Sequence, residues 1–124
     1  MKKLVLFLLI SLLLVGCSKY EPKEVRIFSD PVIDYDEIDS IIEGGNYIIV
    51  DVRTKEEYGE SHVKGSINIP YDEIDEKTNL DKTKTILVYC KSGNRSTKAF
   101  DTLTSLGYNV YNMGAFSDLK LEKE

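Results

Sequence analysis

The sequence has no tryptophan, one histidine, two cysteines and three prolines in 124 residues. Each scarcity excludes something. Two cysteines rule out a multiply stapled disulfide scaffold. One histidine and so few thiols cannot build a metal site of the usual ligand count. Positive charge is also scarce: 16 Lys and Arg stand against 21 Asp and Glu, for a net −5. An acidic chain argues against nucleic acid and against electrostatic docking on anionic lipid. No internal repeat or low-complexity segment occurs. No apolar run approaches the ~20 residues of a spanning helix.

What is present is the material of one globular domain. Apolar residues make up 42% of the chain and charged residues 30%, ordinary values for a single-core protein. The first segment stands apart. Lys2 and Lys3 precede an apolar run, Leu4 to Val15, broken only by Ser11. That run has the length and charge of a secretory signal. It ends in Leu14-Val15-Gly16-Cys17, which resembles a bacterial lipobox. The resemblance implies cleavage before Cys17 and lipidation of that cysteine by diacylglycerol and a further acyl chain such as palmitate. Two or more chains anchor stably where one does not. The expected organisation is a signal peptide over 1–16, a lipidated N-terminus and charged tether over 17–30, and a domain over 31–122. The expected location is the extracytoplasmic side of a bacterial membrane. Loss of Lys2 and Lys3 would take the charge from −5 to −7, so the membrane contact is expected to be the lipid rather than the protein surface.

Beyond the tether, strand-like and helix-like segments alternate. Asp34 and Glu37 have the spacing of a capping box, with Ile38, Ile41 and Ile42 on one helical face and Gly44-Gly45 as the stop. Tyr47 to Val52 is a continuous apolar run interrupted only by Asp51, as expected of a strand covered on both faces. Thr54 and Glu57 form a second box and open a short helix through Tyr58. Ile67-Asn68-Ile69 reads as a brief strand, Asp72 to Glu76 as one helical turn, and Thr85 to Tyr89 as the next strand. Ala99, Phe100, Leu103 and Leu106 make the stripe of a helix capped at Gly107. Tyr108 to Tyr111 reads as a last strand and Ala115 to Leu121 as a last short helix. This alternation predicts an α/β domain with a central, mostly parallel sheet and helices on both faces. Sites in such sheets lie beyond the carboxyl ends of strands.

Cys90 stands at such an end and opens Cys90-Lys91-Ser92-Gly93-Asn94-Arg95-Ser96, followed at once by a helix. Backbone N–H groups converge there and favour a thiolate and a bound anion. The alternative is a buried, inert cysteine. If Cys17 is lipidated, Cys90 is the remaining free thiol, with no second cysteine to resolve it. Lys91 and Arg95 add positive charge, and the planar fork of Arg95 suits bidentate binding of an oxyanion. Gly93 permits the tight turn.

Three segments, in order, resemble the rhodanese (thiosulfate sulfurtransferase) homology domain across about residues 31–119. They are Asp51-Val52-Arg53 with Thr54 to Tyr58, His62 to Pro70, and Cys90 to Ser96. The resemblance implies a rhodanese-like fold and a sulfurtransferase in which Cys90 is the nucleophile and Arg95 assists it. Lys91, Ser92, Gly93, Asn94, Arg95 and Ser96 would bind substrate. Sulfane sulfur would pass from thiosulfate or a similar donor, through a transient Cys90 persulfide and no other cofactor, to cyanide, a small thiol or a partner protein's cysteine. A persulfide carrier serving a partner is the alternative. In this family a six-residue loop, here Cys90 through Arg95, goes with sulfur transfer, and a longer one with phosphatase relatives. The resemblance makes His62 mainly structural. Asp51 and Arg53 are read as structural too, Arg53 pairing with an acidic neighbour such as Glu57. Gly114-Ala115-Phe116-Ser117-Asp118-Leu119 departs from the family's Gly-Gly and following Trp, and Leu119 is expected in the Trp position.

Overall fold

A computed structural model describes residues 33–124. The signal, the tether and Cys17 lie outside the described residues. Four parallel strands form one sheet in the order β2-β1-β3-β4: β1 Tyr47–Asp51, β2 Ile67–Asn68, β3 Thr85–Cys90 and β4 Asn109–Ala115. Three α-helices accompany them: α1 Tyr35–Gly44, α2 Lys55–Glu60 and α3 Asn94–Ser105. Short 3-10 turns occupy Tyr71–Glu73 and Phe116–Asp118. No helix among the described residues is long and apolar enough to cross a membrane.

Apart from Asp51 and Thr85, the two central strands are apolar because both of their faces are covered. Val50, Ile86, Val88 and Cys90 point to one face and pack with Ala99 and Leu103 of α3. Ile49, Leu87 and Tyr89 point to the other and pack with Ile38 of α1, Met113 and Leu119. The predicted α/β architecture with helices on both faces is therefore the one observed. Successive residues of a strand alternate faces, so an unbroken apolar run serves two cores at once.

Local signals set the helix ends. Asp34 caps α1 by accepting the Glu37 N–H at 3.0 Å, and Gly45 closes it at φ +77°. The reciprocal half of the expected box goes elsewhere: the Glu37 carboxylate accepts the Tyr111 hydroxyl of β4 at 2.8 Å. The Thr54–Glu57 box is complete, and α2 runs on to Glu60 rather than stopping at Tyr58.

Other boundaries differ more widely from those the sequence predicts. The turn expected over Asp72 to Glu76 is a 3-10 turn at Tyr71–Glu73. β4 extends to Ala115, beyond the expected Tyr111, by means of a bulge. Val88 pairs with Asn112 and Tyr89 with Gly114, so Met113 is the extra residue. Gly114 sits at φ +79°, its N–H accepted by the Asn112 side chain, and a Cβ there would collide with Ile33. The expected final helix is reduced to Phe116–Asp118, because Ala115 still belongs to the strand. Leu119, assigned the Trp position, is buried in the α1-side core.

At the carboxyl end of β1, Asp51 has no exposed surface and Arg53 is 5% exposed. The Asp51 carboxylate accepts from the Arg53 backbone N–H at 2.9 Å and from Arg53 Nη2 at 2.6 Å. It also accepts the Tyr89 hydroxyl of β3 at 2.7 Å. The guanidinium lies over the Phe116 ring, 4.3 Å from its centroid. Removing one member of a buried pair strands the other. Asp51→Ala is therefore expected to destabilise the domain by about 3–5 kcal/mol, read from its urea unfolding curve. Asp51→Ala with Arg53→Met should lose less than the two single losses combined. Strict additivity would show that the pair is not coupled.

Candidate active site

The site grows from the last residue of β3. Cys90 has no exposed surface and ends the strand between β1 and β4. The chain then turns over Lys91, Ser92 and Gly93 into α3. Gly93 makes the turn at φ +98°, a conformation that a side chain disfavours. The Gly93 N–H donates to Cys90 Sγ at 2.8 Å. Ser96, also without exposed surface, has its hydroxyl 3.4 Å from the sulfur and 3.0 Å from the Gly93 carbonyl. The N-terminus of α3 adds its partial positive charge.

Opposed effects act on the thiol. Burial pushes it up. Hydrogen bonds from the Ser96 hydroxyl and from the Ser96, Gly93 and Ser92 N–H groups outweigh burial, and the thiol lies below its ordinary range. This is an anion nest made of dipoles. The Ser96 hydroxyl has one proton. Beside a neutral thiol it donates to the Gly93 carbonyl and accepts from sulfur, and beside a thiolate it turns to the sulfur.

The structure gathers the loop residues but assigns them unequal parts. Ser92, Gly93 and Ser96 serve the sulfur through the backbone, and Ser96 also through its hydroxyl. Lys91, Ser92 and Asn94 are exposed on the rim. Arg95 is not free. Its Nη1 donates to Glu57 Oε1 at 2.6 Å and its Nη2 to Oε2 at 3.0 Å. Arg95 holds the Glu57 carboxyl down at about 2, against the opposing effect of burial and with help from Thr54. The contribution of this pair to stability is complete above the ordinary Glu range and is lost as pH falls through about 2.

Arg53 does pair with an acidic neighbour, as expected, but that neighbour is Asp51 rather than Glu57. Glu57 pairs with Arg95. Asp51 is wholly buried and two residues from Arg53, so the short connection folds the guanidinium back onto it. Glu57 faces the α3 start instead. Tyr89 is a further residue that the sequence reading passed over. Its hydroxyl donates to Asp51 and accepts the Val63 N–H at 3.0 Å, fixing the segment after His62. Burial, with Asp51 beside it, pushes Tyr89 up to about 12. The available signal was a tyrosine inside an otherwise apolar buried strand, where a hydroxyl needs a partner. His62 stacks on Tyr58 at 3.8 Å, and its Nδ1 lies 2.8 Å from the Tyr58 carbonyl oxygen. Among the described residues, no group of three His, Cys, Asp or Glu side chains is placed to hold a metal.

Comparison with known proteins gives this geometry a context. A family model described as the rhodanese-like domain matches residues 34–121. Thiosulfate sulfurtransferase PspE of Escherichia coli is 40% identical over 78 residues, covering 60% of this chain and 75% of that protein. The solved structure of a rhodanese with anions from E. coli matches with a TM-score of 0.58 and 36% identity, covering 63% of this chain and 96% of that one. The human single-domain sulfurtransferase TSTD1 matches with a TM-score of 0.59 and 25% identity, over 73% of this chain and 95% of that one.

The nest makes a measurable claim. The pH profile of Cys90 alkylation by iodoacetamide should inflect below the range of an ordinary thiol, and Ser96→Ala should move it upward. Because the folded thiol is depressed, its ionisation stabilises the fold above the unfolded thiol's pKa. That contribution fades as pH falls through the folded value. An inflection at or above the ordinary range would contradict the nest.

Proposed function

This chain belongs to the rhodanese-like domain family, and on that premise we propose that it is a sulfurtransferase acting through Cys90. The observation that carries the reading is the Cys90 sulfur at a strand end, facing the Gly93 N–H at 2.8 Å and the Ser96 hydroxyl at 3.4 Å. The six-residue loop, Cys90 through Arg95, fits sulfur rather than phosphoryl transfer.

The nest favours the Cys90 thiolate, the reactive form, over the thiol. The thiolate attacks the sulfane sulfur of thiosulfate or a similar donor. A new S–S bond forms on Cys90, the donor's S–S bond breaks, and its electron pair leaves with sulfite. The terminal persulfide anion carries one negative charge, as the thiolate did, and the same N–H groups stabilise it. Cyanide, a small thiol or a partner protein's cysteine then attacks the outer sulfur and returns the Cys90 thiolate. Lys91, Ser92, Asn94 and Arg95 form the rim that the donor crosses. The site needs no metal and no cofactor beyond the persulfide itself.

The same proposal places the protein in a bacterial cell envelope, lipid-anchored through Cys17 on the extracytoplasmic side of the membrane. The Leu14-Val15-Gly16-Cys17 sequence after an apolar, lysine-led segment supports this.

Intact mass tests the chemistry. The protein should gain one sulfur atom on incubation with thiosulfate and lose it to cyanide, and Cys90→Ser should gain none. Sulfur gain by Cys90→Ser would remove Cys90 as the nucleophile. Repeated thiocyanate release would mark an enzyme, and a single release a persulfide carrier. Cys17→Ala should lose fatty-acid labelling and be released or mislocalised, whereas continued metabolic labelling of that variant by a fatty acid would defeat the anchoring assignment.

A further inference from the structure

The Arg95 edge best shaped for an oxyanion is already occupied. A guanidinium binds carboxylate, sulfate-like or phosphate groups most strongly through two parallel N–H donors. In this site Nη1 and Nη2 both donate to Glu57. Glu57 is itself fixed in place. Its Oε1 accepts from the Thr54 N–H at 3.3 Å and from the Thr54 hydroxyl at 3.2 Å, and its own N–H donates back to Thr54. The carboxylate is ionised throughout the neutral range, so it does not leave by taking up a proton. Of the nearby lysines, Lys91 is exposed to solvent on the rim, and Lys98 lies over the Tyr71 ring at 5.5 Å.

We propose that Glu57 is a specificity-determining residue that neutralises Arg95 and turns the Cys90 site toward singly charged organic persulfides over dianionic thiosulfate. This rests on the sulfurtransferase reading above. A donor dianion approaching an ionised Cys90 meets repulsion that a free Arg95 would offset. An organic persulfide brings one charge on its reacting end and depends less on that offset. Its transfer is balanced: the Cys90 thiolate attacks the terminal sulfur, the persulfide S–S bond breaks, and the electron pair leaves with the organic thiolate. No oxidant or reductant enters.

The test uses Glu57→Gln in the full chain. Glutamine is accepted at this position of a capping box, so the substitution removes the charge while keeping the α2 cap. Sulfur loading of Cys90 is followed by intact mass in single turnovers, once with thiosulfate and once with cysteine persulfide. The ratio of the thiosulfate rate constant to the persulfide rate constant should rise on the order of tenfold, the effect of one uncompensated charge facing a dianion near solvent. Glu57→Ala removes charge and cap together, and its ratio must rise as well. If Glu57 only orients Arg95, both donors slow together and the ratio stays put, which overturns the proposal. A fall in the ratio overturns it too. Failure of the underlying sulfurtransferase reading would look different: the unsubstituted protein would gain sulfur from neither donor.

Discussion

A carboxylate with no exposed surface organises this domain. Asp51 closes β1 and receives the Arg53 backbone N–H, the Arg53 guanidinium and the Tyr89 hydroxyl. An ionised group taken from water needs that many donors to hold its place. The arrangement joins the ends of β1 and β3, and through Tyr89 it reaches the Val63 N–H and the neighbourhood of Ser66. Phe116 covers the guanidinium from beyond β4. Cys90 follows Tyr89 directly, so the residue that carries the sulfur is placed by a network on the opposite face of its own strand.

The second consequence is electrostatic. Both arginines among the described residues are tied to carboxylates, Arg53 to Asp51 and Arg95 to Glu57. The sulfur is therefore stabilised by oriented N–H groups and a helix start rather than by a cation in contact with it. Dipoles held rigidly by a turn and a helix stabilise a single negative charge wherever it sits on Cys90, on the thiolate or one atom further out on a persulfide. That suits a cycle in which the charge is conserved and only the atom bearing it changes.

Much of this was legible in the sequence because its signals are local. Thr54 and Glu57 are three residues apart, and so are the cap and its partner at the start of α1. The two central strands, the glycine turn at Gly93 and the α3 stripe are likewise matters of spacing. The illegible parts join residues distant in sequence. Glu57 is visible as a cap, but its partner Arg95 is 38 residues away. Tyr89 reads as one more apolar residue until its hydroxyl is found on Asp51, again 38 residues away. The carboxyl half of β4 was hidden for a different reason. Asn112 and Gly114 are residue types common in turns, and here they build a bulge inside a strand.

The all-parallel sheet has a kinetic consequence. No strand is joined to its neighbour by a hairpin. Each pairing closes a long stretch of chain, and β1 meets β3 only after α2, β2 and the following loop have been spanned. Such topologies fold slowly, because the entropy of closure is lost before the contacts are gained. Cys90, without exposed surface in the folded domain, is buried only once that closure is complete. Until then the thiol is an ordinary exposed side chain on an unfolded polymer. The chain is thus most open to stray oxidation during its own folding, and the speed with which β1 finds β3 sets how long that exposure lasts.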